Sequence, residues 1–383
     1  MGLAPELTEL SIERLRERRS VKWTHYEPDV LPAWVAEMDY PLAPAVKDAL
    51  RAAVDRDDAG YANPAASGIA AALGGFVERR MGWSPDPEQV VTCTDVVAGL
   101  TDLLRVIAAP GGPVIVTPPV YHPFFSLVRE AGCELVEVPL RDGFDLDLEA
   151  IDAAFAGGAR AMLLCNPHNP TGAVAARSEL EALADLAVEH GAWILSDEIH
   201  APLVLPGAEH IPFVTVSPNA AARGIALVSA SKTFNLAGLG CAQIVTAAEP
   251  ALTAVADLPF SARHCGHLGV IATEAAYARS DDWLDSVLAV LDFNRSHLGA
   301  LLDARLPESG YLPPAAGYLA WIDLRAYDLG PDPAAPIHER GRLALSSGPM
   351  FGRGGEGFAR LNFGTSPDLL AEAVERIASV VDG

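Results

Sequence analysis

Between residues 90 and 230, short and nearly continuous apolar runs alternate with amphipathic stretches, and that alternation leaves few folds open. Val90-Val91-Thr92, Val114-Ile115-Val116, Leu135 to Val138, Ala161 to Cys165, Trp193 to Ser196 and Ile225 to Ser229 read as strands. Between them Val97, Leu100, Leu104 and Ile107 recur at helical spacing, and further helices are predicted from about Pro123 and from Ser178 to His190. Strands apolar on both faces and separated by helices imply an α/β fold with a mostly parallel sheet covered on both sides. Ligands of such sheets bind beyond the carboxyl ends of the strands. The candidate site therefore lies at Asp95 and Val96, Tyr121, Asn166 to Gly172, Asp197 to His200 and Ser229 to Lys232, which all follow strands.

The flanking segments differ in character. A short charged helix is predicted around Ser11 to Arg19, and Leu31 to Pro41, with a proline near each end, reads as an extended arm. Val46, Leu50 and Val54 make one helical face and Ile69, Leu73 and Phe76 another, with Gly60 to Pro64 as the loop between. After about residue 280 come a long helix through Trp283, Val287 and Leu291, strands at Tyr318 to Leu324 and Phe358 to Phe363, and a closing helix from Pro367 to Val381. The Gly/Pro-rich stretch from Gly348 to Gly357 reads as a mobile loop. These changes divide the chain into an arm (1–45), a large domain (46–280) and a smaller α+β domain (281–383).

Charge narrows the partners. With 27 basic and 50 acidic residues in 383, the net charge of −23 argues against nucleic acid or an anionic membrane surface. No uninterrupted apolar run approaches membrane length, and the expected location is cytoplasmic. Five scattered cysteines lack metal-ligand spacing and read as small core residues, so no metal site is expected.

Arginine outnumbers lysine so heavily that only Lys22, Lys47 and Lys232 occur. Lysine at 232 is thus a choice of an amine, which can lose its proton and form an imine with an aldehyde, as a guanidinium cannot. Ser229 and Ser231 just upstream offer hydroxyls to a phosphate. Asp197 ends an apolar strand, where a carboxylate needs a cationic or donating partner such as a protonated pyridine nitrogen, or else caps the next segment. Asn169 lies in the stiff Asn166-Pro167-His168-Asn169-Pro170-Thr171-Gly172 loop, where it could donate to a phenolic oxygen, and Tyr121 offers a ring that can stack on a planar cofactor. Arg360, in a mostly apolar strand, seeks a bidentate anion, either a substrate carboxylate or one of the acidic side chains.

Taken in order, Asn-Pro-x-Asn-Pro-x-Gly, Asp-Glu-x-His, Ser-x-Ser-Lys and Arg-Leu-Asn-Phe resemble the class I/II aminotransferases of the aspartate aminotransferase fold. Trp34 to Tyr40, Asp197 to His200 and Lys232 to Leu239 resemble the MalY/PatB-type C–S lyases, the cystathionine β-lyase group. The resemblance implies a fold-type I pyridoxal 5'-phosphate enzyme with a seven-stranded, mostly parallel sheet sandwiched by helices. It makes Lys232 the Schiff-base and proton-transfer residue, Asp197 the pyridinium partner, Asn169 a donor to the phenolic oxygen and Tyr121 the stacking, catalytic ring. Ser229, Ser231, Val96 and Val97 become phosphate contacts, and Arg360, with Asp39 and Tyr40 of the arm, contacts substrate. Tyr61 matches a tyrosine that reaches the neighbouring subunit's phosphate, which implies a homodimer with shared sites.

Three positions depart from the aminotransferase pattern. His200 stands in place of a tyrosine at the phenolic oxygen, Gly240 in place of a phosphate-binding arginine, and Asp95 where a small residue usually precedes the phosphate-binding helix. The expected reaction is α,β-elimination of L-cystathionine or another cysteine S-conjugate. Transamination and a regulatory, partner-binding role are the alternatives.

Overall fold

The computed structural model describes residues 3–383. Seven strands form one sheet: β1 (Val90–Cys93), β2 (Pro113–Val116), β3 (Glu134–Glu137), β4 (Ala161–Cys165), β5 (Trp193–Asp197), β6 (Gly224–Val228) and β7 (Ala242–Val245). Their order is β1-β7-β6-β5-β4-β2-β3, and β7 alone runs against its neighbours.

Side-chain alternation divides the strand residues between two cores. In β4, Ala161, Leu163 and Cys165 join a cluster with Leu100, Leu104 and Phe124, whereas Met162 and Leu164 join Leu180, Leu183 and Phe213 on the other face. Covering helices include α1 (Val96–Ile107) and α2 (Arg177–Glu189), so the sheet is sandwiched as expected. A third core runs through Leu7, Met38, Leu291, Leu361 and Ile377, and packs the N-terminal segment, the long helix α3 (Asp281–Arg305) and the closing helix α4 (Pro367–Val381) together.

The C-terminal part carries a four-stranded antiparallel sheet of β8 (Gly310–Tyr311), β9 (Leu319–Asp323), β10 (Ser346–Ser347) and β11 (Phe358–Asn362), in the order β10-β11-β9-β8. Leu31–Pro32 of the arm pairs in parallel with Leu343–Ala344, which ties the arm to this part.

One local expectation is refined and one is corrected. The charged helix predicted around Ser11 to Arg19 is present as the shorter Ile12–Arg16, capped by Ser11, between two further short helices, Pro5–Thr8 and Val21–Thr24. The Gly348 to Gly357 stretch, expected to be mobile, is docked: Phe351 is fully buried and its carbonyl accepts from Val120 N at 2.9 Å. A Cβ on Gly348 would lie 2.1 Å from the Gly355 carbonyl oxygen. Glycine is required there by close backbone approach, not by motion.

Candidate active site

A cavity of about 560 Å³ opens at the carboxyl ends of the parallel strands. Lys232, Asp197, His200, Asn169, Tyr121, Ser229, Ser231, Val96 and Val97 all line it, Asp197 from the last position of β5 and the others from the loop or helix start after a strand.

Its inner end holds an amine and a carboxylate that no other group satisfies fully. Asp197 is buried, and burial lifts its carboxyl to about 7 against the pull of the Ile199 amide and of Lys232. Its Oδ1 accepts only from Ile199 N, at 3.1 Å, and no cation lies within ion-pair distance among the described residues. Lys232 rests with Nζ donating to Ala36 O at 3.0 Å. Burial and the Arg360 charge lower its ammonium to about 8, so an appreciable fraction is neutral near physiological pH. His200 is pushed down to about 3 by burial and by the charges of Lys232 and Arg360, which fixes it as a neutral imidazole. Burial lifts the Tyr121 phenol to about 12.

The other end is built for an anion. Val96 and Val97 open the twelve-residue helix α1, whose first amides point outward with the positive end of the helix dipole. Ser229 Oγ donates to Cys241 O at 2.8 Å and accepts from Ser231 N at 3.1 Å. Asp95 lines this end too, and its carboxylate caps α1, Oδ1 accepting from Ala98 N at 2.8 Å. Gly240 has φ +59° and lines the cavity beside these groups.

Arg360 stands on β11 opposite Ser346 and Trp321. Its Nη1 donates to Asn169 Oδ1 at 2.8 Å, and its Nη2 to Trp34 O at 2.8 Å and Ser346 Oγ at 3.0 Å. Nε has no partner. The guanidinium lies 5.0 Å over the Phe351 ring and pairs with no carboxylate among the described residues, so the salt-bridge alternative is set aside. Burial lowers it to about 10, and it remains charged. A buried cation with free donor capacity calls for an anion from outside the chain. The bond from Arg360 occupies the Asn169 oxygen and leaves the Asn169 amide NH₂ for the cavity.

Asp39 and Tyr40, expected at the substrate, do not line the cavity. Asp39 forms a buried ion pair with Lys22 at 2.8 Å, and Tyr40 Oη donates to Thr365 O at 3.1 Å. Both hold the arm. Tyr61 is 98 % exposed and also lies outside its own chain's cavity.

What sequence reasoning missed is how the arm is held against the site. Side chains grip its backbone: Asn362 Nδ2 donates to Val35 O and Glu37 O, Tyr318 Oη to Ala36 O, and Asn235 brackets Met38 through its N and O. Asn235 does so from φ +60°, a left-handed conformation that asparagine tolerates better than most side chains. These contacts end on peptide carbonyls and amides, which leave no side-chain signal in a sequence.

An amine, an unpaired buried carboxylate, a helix N-terminus flanked by hydroxyls and a flat aromatic face together suit pyridoxal phosphate. Fold and site define the class I and II aminotransferases: the family model for "Aminotransferase class I and II" matches residues 34–377, and the chain belongs to that family. Within it, the chain is 40% identical to the cystathionine β-lyase of Corynebacterium glutamicum, with 97% of this chain and 99% of that one covered. It is 34% identical to the cystathionine β-lyase PatB of Bacillus subtilis, covering 97% and 100%. A crystal structure from Corynebacterium diphtheriae, of a protein assigned as a pyridoxal-phosphate-dependent β-cystathionase, superposes with a TM-score of 0.94 at 38% identity over 100% of both chains.

Proposed function

We propose that the chain is a pyridoxal-phosphate-dependent carbon–sulfur β-lyase that cleaves L-cystathionine or a related cysteine S-conjugate to a thiol, pyruvate and ammonia. The observation that carries the chemistry is one cavity lined by the partly neutral Lys232 amine and the Asp197 carboxylate that has no cation beside it, with the Arg360 guanidinium bonded to Asn169 of its wall. The likeness to cystathionine β-lyases over nearly the whole chain supports elimination as the reaction.

When bound, the cofactor supplies an electron-withdrawing ring that takes up the electron pair left at the substrate Cα. Lys232 is the residue to hold the aldehyde and, as an amine titrating near 8, the base that takes the Cα proton. Asp197 keeps the pyridine nitrogen protonated, because its own charge is costly in that pocket without a cation. Asn169 offers its NH₂ to the phenolic oxygen beside the neutral His200, and Tyr121 packs against the ring. Arg360 takes the substrate α-carboxylate in a two-point grip that orients the Cα–H bond.

No helix among the described residues is long and apolar enough to cross a membrane. Our reading adds a cytoplasmic location, an amino-acid substrate and a homodimer in which the exposed Tyr61 serves the partner's phosphate. It also treats 46–280 as the cofactor-binding domain, and 281–383 with the 1–45 arm as the smaller one. Incubation with L-cystathionine and no keto acid tests the reaction. Many turnovers with homocysteine, pyruvate and ammonia in equal amounts are expected, whereas turnover that stops after one equivalent per site and resumes with a keto acid would make the chain a transaminase.

A further inference from the structure

Cys241 and Cys265 lie side by side at the edge of the anion-binding end of the cavity. Gly266 N donates to Gly240 O at 2.8 Å, which brings the neighbours of those two glycines alongside each other. Both cysteines pack with Ile69 and Val270 in one small cluster. Cys241 is buried and lines the cavity, and Cys265 is partly exposed. The segment carrying Cys265 is pinned to the end of β1, with Thr94 Oγ1 donating to His264 O at 2.9 Å and Thr92 Oγ1 to Arg263 O at 3.5 Å.

The two thiols are chemically unequal. The nearness of Cys241 lowers the Cys265 thiol against the opposing effect of burial, with further help from Thr92, His264 and His267. The same contact and burial push Cys241 up. The partly exposed Cys265 is therefore the more readily ionised of the two, and the buried Cys241 is the one that keeps its proton. Cys93, the third sulfur nearby, is fully buried and donates to its own Asp95 O at 3.4 Å, so it is otherwise engaged.

We propose that Cys241 and Cys265 form a peroxide-responsive dithiol that converts reversibly to a disulfide across the edge of the anion-binding cup. The Cys265 thiolate attacks a peroxide oxygen; the S–O bond forms, the O–O bond breaks and hydroxide leaves, which oxidises sulfur and reduces the peroxide. The Cys241 sulfur then attacks the resulting sulfenic acid, the S–S bond forms, the S–O bond breaks, and the departing hydroxide takes the Cys241 proton as water. The sum is two thiols plus hydrogen peroxide giving a disulfide and two waters. The carbonyl of Cys241 anchors Ser229 Oγ, so the cross-link falls on the backbone that shapes the cup. Its bearing on catalysis rests on the function proposed above; the cross-link itself does not.

The test is a non-reducing peptide map of holoenzyme after a short pulse of hydrogen peroxide and alkylation. Expected are a peptide joining Cys241 to Cys265, loss of about two titratable thiols per chain and their recovery with dithiothreitol. The link should vanish in Cys265→Ser and persist in Cys93→Ser. Wild-type protein with both cysteines alkylated, with Cys265 carried to sulfinic or sulfonic acid while Cys241 stays free, or with Cys265 joined to Cys93 overturns the proposal. Because the readout is a peptide mass, its failure is separable from failure of the lyase assignment.

Discussion

Replacing Asp197 with asparagine in cofactor-free protein should change the pH dependence of stability in a way that isolates the cost of its charge. Burial raises the folded carboxyl to about 7 from an ordinary 3.8. For a group whose folded pKa is raised, the stabilisation is fully present below the unfolded pKa and is lost as pH rises through the folded one. At about 1.4 kcal/mol per pH unit, the full loss for a shift from 3.8 to about 7 is about 4 kcal/mol, of which about 2 kcal/mol accumulates between pH 5 and 7. Asparagine is close in shape, can still accept from Ile199 N through its oxygen and never ionises. Asp197→Asn should therefore gain on the wild type as pH rises and level off above about 7. Paired urea denaturations of the two cofactor-free proteins at several pH values from 5 to 8.5 measure this directly. Saturating pyridoxal phosphate should then narrow the gap, since a protonated pyridine nitrogen is the partner that Asp197 lacks, and the variant should bind the cofactor more weakly. A pH-independent difference below about 1 kcal/mol would mean that the carboxylate ionises in the pocket at no cost, and the inference that it demands a cation would fall.

Arg360→Ala should lower kcat/KM on L-cystathionine by about 2–5 kcal/mol, or roughly 30-fold to several-thousand-fold, with cofactor absorbance unchanged; kinetics within about threefold of wild type would remove Arg360 from the substrate. Its fold should survive, because Ser346 Oγ still donates to Trp34 O and only the Asn169 oxygen loses its protein donor. Borohydride reduction followed by peptide mapping should find the cofactor on Lys232, and its appearance on Lys22 or Lys47 would refute that role. Mixing inactive Tyr61→Phe and Lys232→Ala proteins under subunit exchange should restore part of the activity through hybrids with one intact site; no recovery despite demonstrated exchange would place Tyr61 outside the partner's site.

What the sequence made legible has a physical pattern. The strands of the large sheet could be read because burial on both faces leaves runs such as Ala161 to Cys165 and Trp193 to Ser196, and the site followed because loops after parallel strands converge. Lys232, Asp197 and Arg360 stood out because each is an ionisable group next to apolar chain, and the cost of that placement is written in the residue type. Asp39 belongs to the same short motif as the arm's cavity-facing Ala36, yet its partner is Lys22, a contact that sequence spacing does not reveal. Glycine content between Gly348 and Gly357 suggested mobility because composition cannot separate a flexible backbone from one packed too tightly for a Cβ. The cap at Asp95 was equally hidden: whether a carboxylate faces a ligand or its own helix depends on one rotamer.

The scarcity of lysine that drew attention to Lys232 applies with equal force to Lys22. Its ammonium is 1 % exposed and donates to Asp39 at 2.8 Å and to Glu37 O at 3.0 Å, a compact grip from one nitrogen that a planar guanidinium does not reproduce. Arg18 adds bonds to Asp39 O and Tyr40 O from the same N-terminal segment. The arm is thus held from its far side by Arg18 and Lys22 and from its near side by Asn235, Tyr318 and Asn362. Between those holds, the Ala36 carbonyl faces Lys232 Nζ and the Trp34 carbonyl faces Arg360. Removing one partner of a buried ion pair costs about 3–5 kcal/mol, because the other is left charged without compensation. The first forty residues therefore tie together, through the Ala36 and Trp34 carbonyls, the Lys232 amine and the Arg360 guanidinium to which we assign proton transfer and substrate orientation.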